Sequence, residues 1–282
     1  MRLVRFGNAG QEKPGLLDGA GRIRDVSGAV PDYSGEEGLS PQAMEKLRGL
    51  DLAEMPVVEE GVRLGPPVGY VRNFIGIGLN YADHAAEAGL RIPREPVIFN
   101  KIGNCIVGPN DDVMIPRGSL KLDWEVEIAF VIGKRSRYVE EADAMSHIAG
   151  FCVCNDVSER HFQIERSGQW AKGKCCETFG PLGPWLVTPD ELEIDNLGLW
   201  LDVNGVRRQT GSTSKMIFKI PYTLAYVSQF MTLEPGDVVT TGTPPGVALG
   251  MKEPEWLKAG DVMTLGIDGL GEQKQRVVPF EL

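Results

Sequence analysis

The sequence predicts an α+β fold dominated by sheet, and three observations carry that prediction. Glycine supplies 35 of the 282 residues, about 12 % against a usual ~7 %. Nineteen prolines accompany it, and no Gly-X-Y period runs through them, which excludes a collagen helix. Short apolar or alternating runs recur between turn signals, the mark of many short strands rather than a helical bundle.

From the N-terminus, Leu3-Val4-Arg5-Phe6 alternates as a short strand. Gly15-Leu16-Leu17-Asp18-Gly19 and Gly21-Arg22-Ile23 read as a hairpin around a Gly-rich turn. Ser40 and Pro41 open a helix over about 41–50, as N-cap and first helical residue. Pro66-Pro67 closes this stretch, so residues 1–65 are expected as a small N-terminal α/β module and 70–282 as a second, larger domain. Asn73 to Gly78 is a short buried strand; Asn80 is placed to cap a helix over 81–89 that Gly89 ends. Residues 123–133 and 149–155 give two more strands, and 158–166 a helix. The Asn204-Gly205 pair marks a hairpin, Ile220 to Met231 a helix, and Pro235-Gly236-Asp237, Pro244-Pro245-Gly246 and Ala259-Gly260-Asp261 turns beside Val-rich strands.

Composition bounds the function. The hydrophobic fraction of 42 % is that of a globular chain able to bury a core. A net charge of −10 argues against nucleic acid and against anionic membrane surfaces as partners. No run reaches 18 apolar residues, and residues 1–10 hold no apolar stretch of the signal-peptide kind. The five cysteines include no C-x-x-C pair. Reduced thiols in a cytoplasm are the expected state. An acidic chain can still bind an acidic small molecule if its site brings a cation.

Four groups of residues could carry chemistry. In Glu125-Val126-Glu127 the strand period points both carboxylates to one face, beside the apolar run 128–132. If half-buried they repel, and a hard divalent cation relieves the repulsion; the alternative is a solvated strand face. Asp156, at the end of the strand 149–155, is a third ligand or merely a helix cap. Beyond it Arg160 and Gln163 share a helical face, to meet a substrate carboxylate or lie exposed. His84 and Glu87 are three apart, as in a base with its orienting carboxylate or in a surface ion pair. Lys174 follows Gly173, but Cys175 stands where a P-loop needs Ser or Thr, and Gly76-x-Gly78 lacks the third glycine of a dinucleotide fingerprint. Vicinal Cys175 and Cys176 have no orienting neighbour and are read as inert thiols. The glycines at 76, 78, 173, 242 and 246 are expected where backbone approaches a ligand closely.

Taken in order, several stretches resemble the fumarylacetoacetate hydrolase family. They are Gly78-Leu79-Asn80-Tyr81 with His84 and Glu87; Pro96 to Lys101; Asp123 to Glu127; Asn155 to Ser158; Gly173-Lys174; and Gly242 to Val247. The resemblance spans about 70–282. It implies a mixed β-sandwich roll, a homodimer or higher homo-oligomer, and a Mg²⁺ or Mn²⁺ site. Glu125, Glu127 and Asp156 would be the metal ligands and Lys174 their neighbour. Arg160, Gln163 and Thr243 would line the substrate pocket, with His84 and Glu87 as a water-activating pair on a lid. His161 and Cys175 stand where many relatives have Asp and Ser.

The implied reaction is metal-dependent hydrolysis of the C–C bond of a 2,4-diketo acid. Ser158-Glu159-Arg160, Gly168-Gln169-Trp170 and the stretch from Met263 to Gly271 resemble the bacterial branch acting on 2,4-diketo-3-deoxy-L-rhamnonate or its L-fuconate analogue. That branch belongs to L-rhamnose catabolism and yields pyruvate and a hydroxy acid such as L-lactate. Acylpyruvate or fumarylpyruvate hydrolysis, oxaloacetate decarboxylation and ureidoglycolate cleavage are the alternatives within the family. A dead binder of 2-oxo acids and a scaffold are the alternatives outside catalysis.

Overall fold

Runs of β-branched and aromatic residues between turn-forming glycines and prolines give the strands, whose pleated, half-buried surface suits such side chains. The computed structural model describes residues 1–87 and 91–282, apart from the side chains of residues 84–86. In chain order it holds β1 (Arg2–Phe6), β2 (Lys13–Leu17), β3 (Ile23–Asp25), helix α1 (Pro41–Arg48), β4 (Phe74–Gly78), α2 (Ala82–Glu87) and β5 (Val97–Lys101). There follow β6 (Val126–Ile132), β7 (Ile148–Asn155), α3 (Ala171–Lys174), β8 (Gly180–Val187), β9 (Gly198–Val203) and β10 (Val206–Ser212). The last elements are α4 (Ile220–Phe230), β11 (Val238–Thr240), β12 (Val262–Ile267) and β13 (Gly271–Val278).

Two sheets pack face to face. In the larger, 11-stranded sheet nine strands run β3-β2-β1-β8-β7-β6-β11-β4-β5, antiparallel along this path except where β11 pairs in parallel with β4; the short strands Leu64–Gly65 and Ile106–Val107 pair with β1 and β8. The smaller, five-stranded sheet runs β10-β9-β12-β13 and ends on the short strand Val113–Met114. Its β9, β12 and β13 lie against β6 and β7, the sandwich geometry that removes both inner faces from water. Consequently β6 and β7 are buried along their whole length. Phe130, Phe151, Val153, Leu201 and Leu265 fill the core. The fold is thus the sheet-dominated α+β class that the turn-rich sequence predicts.

Local signals read well where the partner is local. Ser40 caps α1 with a bond from the Ala43 N–H at 3.2 Å, and Pro41 takes the first helical position. Asn204 and Gly205 both have positive φ, 51° and 76°, and join β9 to β10 as a primed hairpin turn requires. Residues 1–65 do not build a sheet of their own: β1 pairs with β8, so the first three strands extend the larger sheet at one edge.

Two expectations are corrected. Asn80 does not cap α2. Its side chain bridges distant segments, with Nδ2 donating to Phe218 O and Thr241 O while Oδ1 accepts from the Phe218 N–H. The expected end of that helix at Gly89 lies outside the described residues. Residues 158–166 are not one α-helix either. Ser158–Glu159 pairs with Leu122–Asp123, and only a π turn, His161–Glu165, follows. The Glu159 carboxylate causes this by accepting the N–H groups of Leu120, Lys121 and Phe162.

Candidate active site

The site begins with alternation on one strand. Trp124, Val126 and Ile128 point into the core, which sends Glu125 and Glu127 to the opposite face. Pairing of Val126 with Asn155 then brings the end of β7 alongside. The Asp156 N–H donates to Glu125 O at 2.9 Å, and the Glu125 N–H to Asn155 Oδ1 at 3.2 Å. As a result Glu125, Glu127 and Asp156 converge, with carboxylate oxygens within 4.8 Å of one another, and all three are buried. A solvated strand face and a helix cap are both excluded as readings of these residues.

Cations gather around two of the three. Lys174, at the end of α3, donates from Nζ to Glu125 Oε2 and to Asp156 Oδ2, both at 2.6 Å. Its ammonium also lies 5.1 Å from the Phe99 ring centroid, within cation–π range. Arg160 donates to Asp123 Oδ2 at 2.8 Å, to Glu125 Oε1, and to Gln163 Oε1 at 3.0 Å. Lys101 donates to Asp156 Oδ1 at 2.6 Å and to the carbonyls of Lys174 and Phe179. Burial alone would raise the Glu125 carboxyl, but the Arg160 and Lys174 charges outweigh it and hold the group down to about 2.

Glu127 is the exception. It accepts from Thr240 Oγ1 at 2.5 Å and from the Gly242 N–H at 2.8 Å, and among the described residues it forms no ion pair. Burial, with the Asp156 and Glu125 charges beside it, pushes its carboxyl well above the ordinary value. Among the described residues, four buried carboxylates, Asp123 included, face three buried cations. Ionising Glu127 therefore leaves one negative charge uncompensated. An oxygen-only donor set with a charge deficit fits a hard divalent cation. Such an ion would leave the site with one net positive charge to offer an anionic substrate.

A cavity of about 140 Å³ opens onto this cluster. Glu125, Glu127, Arg160, Gln163, Lys174 and Thr243 all contribute to its lining. Thr243 does so with its hydroxyl committed, donating to Val126 O and accepting from Gln209 Nε2. Glu87 stands at the rim, where its carboxylate accepts the Gly246 N–H at 3.2 Å. The side chain of His84 lies outside the described residues. Arg160 is buried rather than an exposed helix residue, and its contact with Gln163 forms across the π turn.

Residues 73–278 match the fumarylacetoacetate (FAA) hydrolase C-terminal family. The chain belongs to the fumarylacetoacetate hydrolase family. A Burkholderia cenocepacia relative is 57 % identical over 277 residues, which is 98 % of each chain, and its name goes no further than the class hydrolase. A solved fumarylacetoacetate hydrolase from Exiguobacterium antarcticum is 36 % identical with a TM-score of 0.87, covering 99 % of this chain and all of its own. The maleylpyruvate hydrolase from Sphingobium, solved with manganese(II) and pyruvate, is 28 % identical with a TM-score of 0.80 over the full length of both chains. Glu125, Glu127 and Asp156 thus form a cluster with the composition and spacing to hold a metal ion, in a family with a member solved with manganese(II).

Sequence reasoning gave no role to several residues of this cluster. Asp123 clamps Arg160 and accepts the N–H groups of Ala248 and Leu249; Lys101 ties Asp156 to α3; Asn155 links Glu125 to Gln275. Their partners lie tens of residues away, so no local spacing marks them. Of the glycines expected beside a ligand, Gly78 and Gly242 line the cavity, and close packing of the chain is a second duty. A Cβ at Gly173 would fall 2.3 Å from Glu159 O, one at Gly242 2.9 Å from Asn80 Cβ, and one at Gly246 1.9 Å from Arg208 O. They let the chain pack against itself. Cys175 and Cys176 are half-buried, and burial pushes both thiols up, which suits inert groups rather than a nucleophile.

Proposed function

We propose that this chain hydrolyses the C–C bond of a 2,4-diketo acid with Mg²⁺ or Mn²⁺ held by Glu125, Glu127 and Asp156. The observation that carries the proposal is the convergence of three buried carboxylates, one without a cation partner among the described residues, at the floor of a cavity that Lys174 and Arg160 also reach. A divalent cation bound there supplies a Lewis acid for the 2-oxo acid end of the substrate and an electron sink for the departing carbon. Lys174 brings an ammonium to the same end, where it helps hold the charge that develops on the pyruvate half. Arg160 is fixed by Asp123 and Glu125, so it keeps Glu125 ionised and aimed. His84, oriented by Glu87, is assigned as the base that takes a proton from water. The hydroxyl adds to the 4-carbonyl carbon, the C3–C4 bond breaks, and C3 receives a proton. The products are pyruvate and a carboxylic acid. The Sphingobium relative, solved with manganese and pyruvate, supports this choice of cation and product.

The phrases around 158–160, 168–170 and 263–271 favour a sugar acid from L-rhamnose breakdown, which makes 2,4-diketo-3-deoxy-L-rhamnonate and its L-fuconate analogue first substrates to assay. Release of pyruvate and L-lactate that EDTA abolishes supports the reaction. Turnover untouched by EDTA, or no pyruvate from any 2,4-diketo acid in Mn²⁺, rejects it. Oxaloacetate decarboxylation needs no attacking water, so pyruvate release from oxaloacetate that survives His84→Ala would favour it instead. We assign a cytoplasmic homodimer as the working form; the five unpaired cysteines suit a reducing compartment, and light scattering tests the assembly. No helix among the described residues is long and apolar enough to cross a membrane.

A further inference from the structure

Strand β6 has a neighbour on each side, but not over the same stretch. On one side β7 pairs with it from Val126 to Ile132. On the other, β11 pairs with Ala129, Phe130 and Val131 and stops short of the carboxylates. Side chains take over there. The Val126 N–H donates to Gln209 Oε1 at 2.9 Å, Thr243 Oγ1 donates to Val126 O at 2.9 Å, and Thr241 Oγ1 donates to Ile128 O at 2.8 Å. Gln209 then closes a ring, because its Nε2 donates to Thr243 Oγ1 and to Pro244 O, both at 2.8 Å. Val126 is the residue between Glu125 and Glu127. Its backbone N–H and C=O are thus held by two side chains that also hold each other.

Gln209 comes from β10, in the other sheet, and is fully buried. An amide suits the place, since one arm accepts and the other gives two hydrogens; all of these are used here. Losing it would strand a buried N–H at Val126, which is costly. The same bonds tie β10 to the loop 242–246, which lies directly on that strand. A Cβ at Gly211 would fall 2.3 Å from Pro244 Cβ, and one at Gly246 3.1 Å from Gln209 Cα. The loop in turn holds two carboxylates of the site. The Gly242 N–H donates to Glu127 Oε2 at 2.8 Å, and the Gly246 N–H to Glu87 at 3.2 Å. One buried amide therefore fixes both the strand that carries Glu125 and Glu127 and the loop that grips Glu127.

Resting on the divalent cation assigned above, we infer that Gln209 is a positioning residue for the cation site, acting through Val126 and Thr243 to hold Glu125 and Glu127 in place for the ion. Groups that orient a ligand from behind are worth roughly 10–100-fold in metal affinity. The test is Mn²⁺ binding to the full chain by calorimetry, with melting in EDTA recorded alongside. Gln209→Met keeps the length of the side chain and none of its three bonds, and should weaken Mn²⁺ binding about tenfold or more. Thr243→Val should do the same, while Thr243→Ser, which keeps the hydroxyl, should bind like the parent. Because the three groups form one ring, the Gln209→Met/Thr243→Val double variant should lose little beyond either single change. Should Gln209→Met not fold, Gln209→Asn, an amide one methylene too short to reach Val126, is read in its place with the same expectation. A lower Tm in EDTA with the parent Mn²⁺ affinity makes Gln209 merely structural and overturns the inference. Single losses that multiply in the double variant, or Thr243→Ser as weak as Thr243→Val, also overturn it. If the parent chain itself binds no Mn²⁺, the cation assignment falls and the inference with it.

Discussion

Loading the three carboxylates with Mn²⁺ should expel a proton from Glu127. In the ion-free chain, burial and the Asp156 and Glu125 charges favour the protonated acid well above its ordinary value of 4.5. A cation binds the carboxylate form. Below the folded-state value, each pH unit therefore weakens Mn²⁺ binding about tenfold, or ~1.4 kcal/mol, and one proton leaves for each ion that enters. The effect on stability has a definite sign. A raised pKa in the folded state means that the ion-free protein binds more protons folded than unfolded. Its contribution is fully present below about 4.5 and is lost as pH rises through the folded value. Saturating Mn²⁺ replaces the proton, so the gap in Tm between Mn²⁺ and EDTA samples should widen from pH 5 upward. Titration calorimetry in two buffers of different ionisation heat counts the proton directly, and Glu127→Gln should abolish the release. Mn²⁺ binding with no proton release and no pH dependence below neutrality would refute the assignment of Glu127 as the uncompensated acid.

Three further outcomes follow from the same geometry. Lys174→Met removes the ammonium shared by Glu125 and Asp156 but none of the carboxylates. Steady-state kinetics should show kcat down by roughly 10²–10³, with Mn²⁺ affinity, measured by calorimetry, retained or tightened. Lys101→Met strips one oxygen of buried Asp156 and two carbonyls of their donor; urea unfolding should register a loss of ~3–5 kcal/mol, larger than for half-buried Lys121→Met. Gly76→Ala drives a methyl into the Phe99 ring. It should cost about 1–3 kcal/mol as overpacking, whereas Gly19→Ala, with open space around it, should leave Tm near the parent value.

What the sequence disclosed depended on how far away the partner lay. The alternation in Glu125-Val126-Glu127 and the Asn204-Gly205 turn are decided within a few residues, and the structure has them as read. The Ser40-Pro41 helix start is of the same kind. Asn80 was misread as a cap because its three hydrogen bonds reach residues 218 and 241. Arg160 looked like an ordinary exposed helix residue because Asp123, which draws it inside, is 37 positions earlier. The carboxylates themselves gave no sign of burial. The second sheet dries one face of β6 and the segments carrying Lys174, Arg160 and Gly242 cover the carboxylate face, and that is a property of the whole chain. The glycines were noticed for their number, yet their purpose is visible only beside Phe99, Trp170 and Arg208.

The claim on which the rest depends is that Glu125, Glu127 and Asp156 together hold one divalent cation. Crystals soaked in Mn²⁺ and measured at an energy where manganese scatters anomalously test it directly. The account predicts a single strong peak per chain within bonding distance of all three carboxylates, with the Lys174 ammonium moved off at least one of them. A peak elsewhere, or none at this cluster in saturating Mn²⁺ at neutral pH, would contradict it.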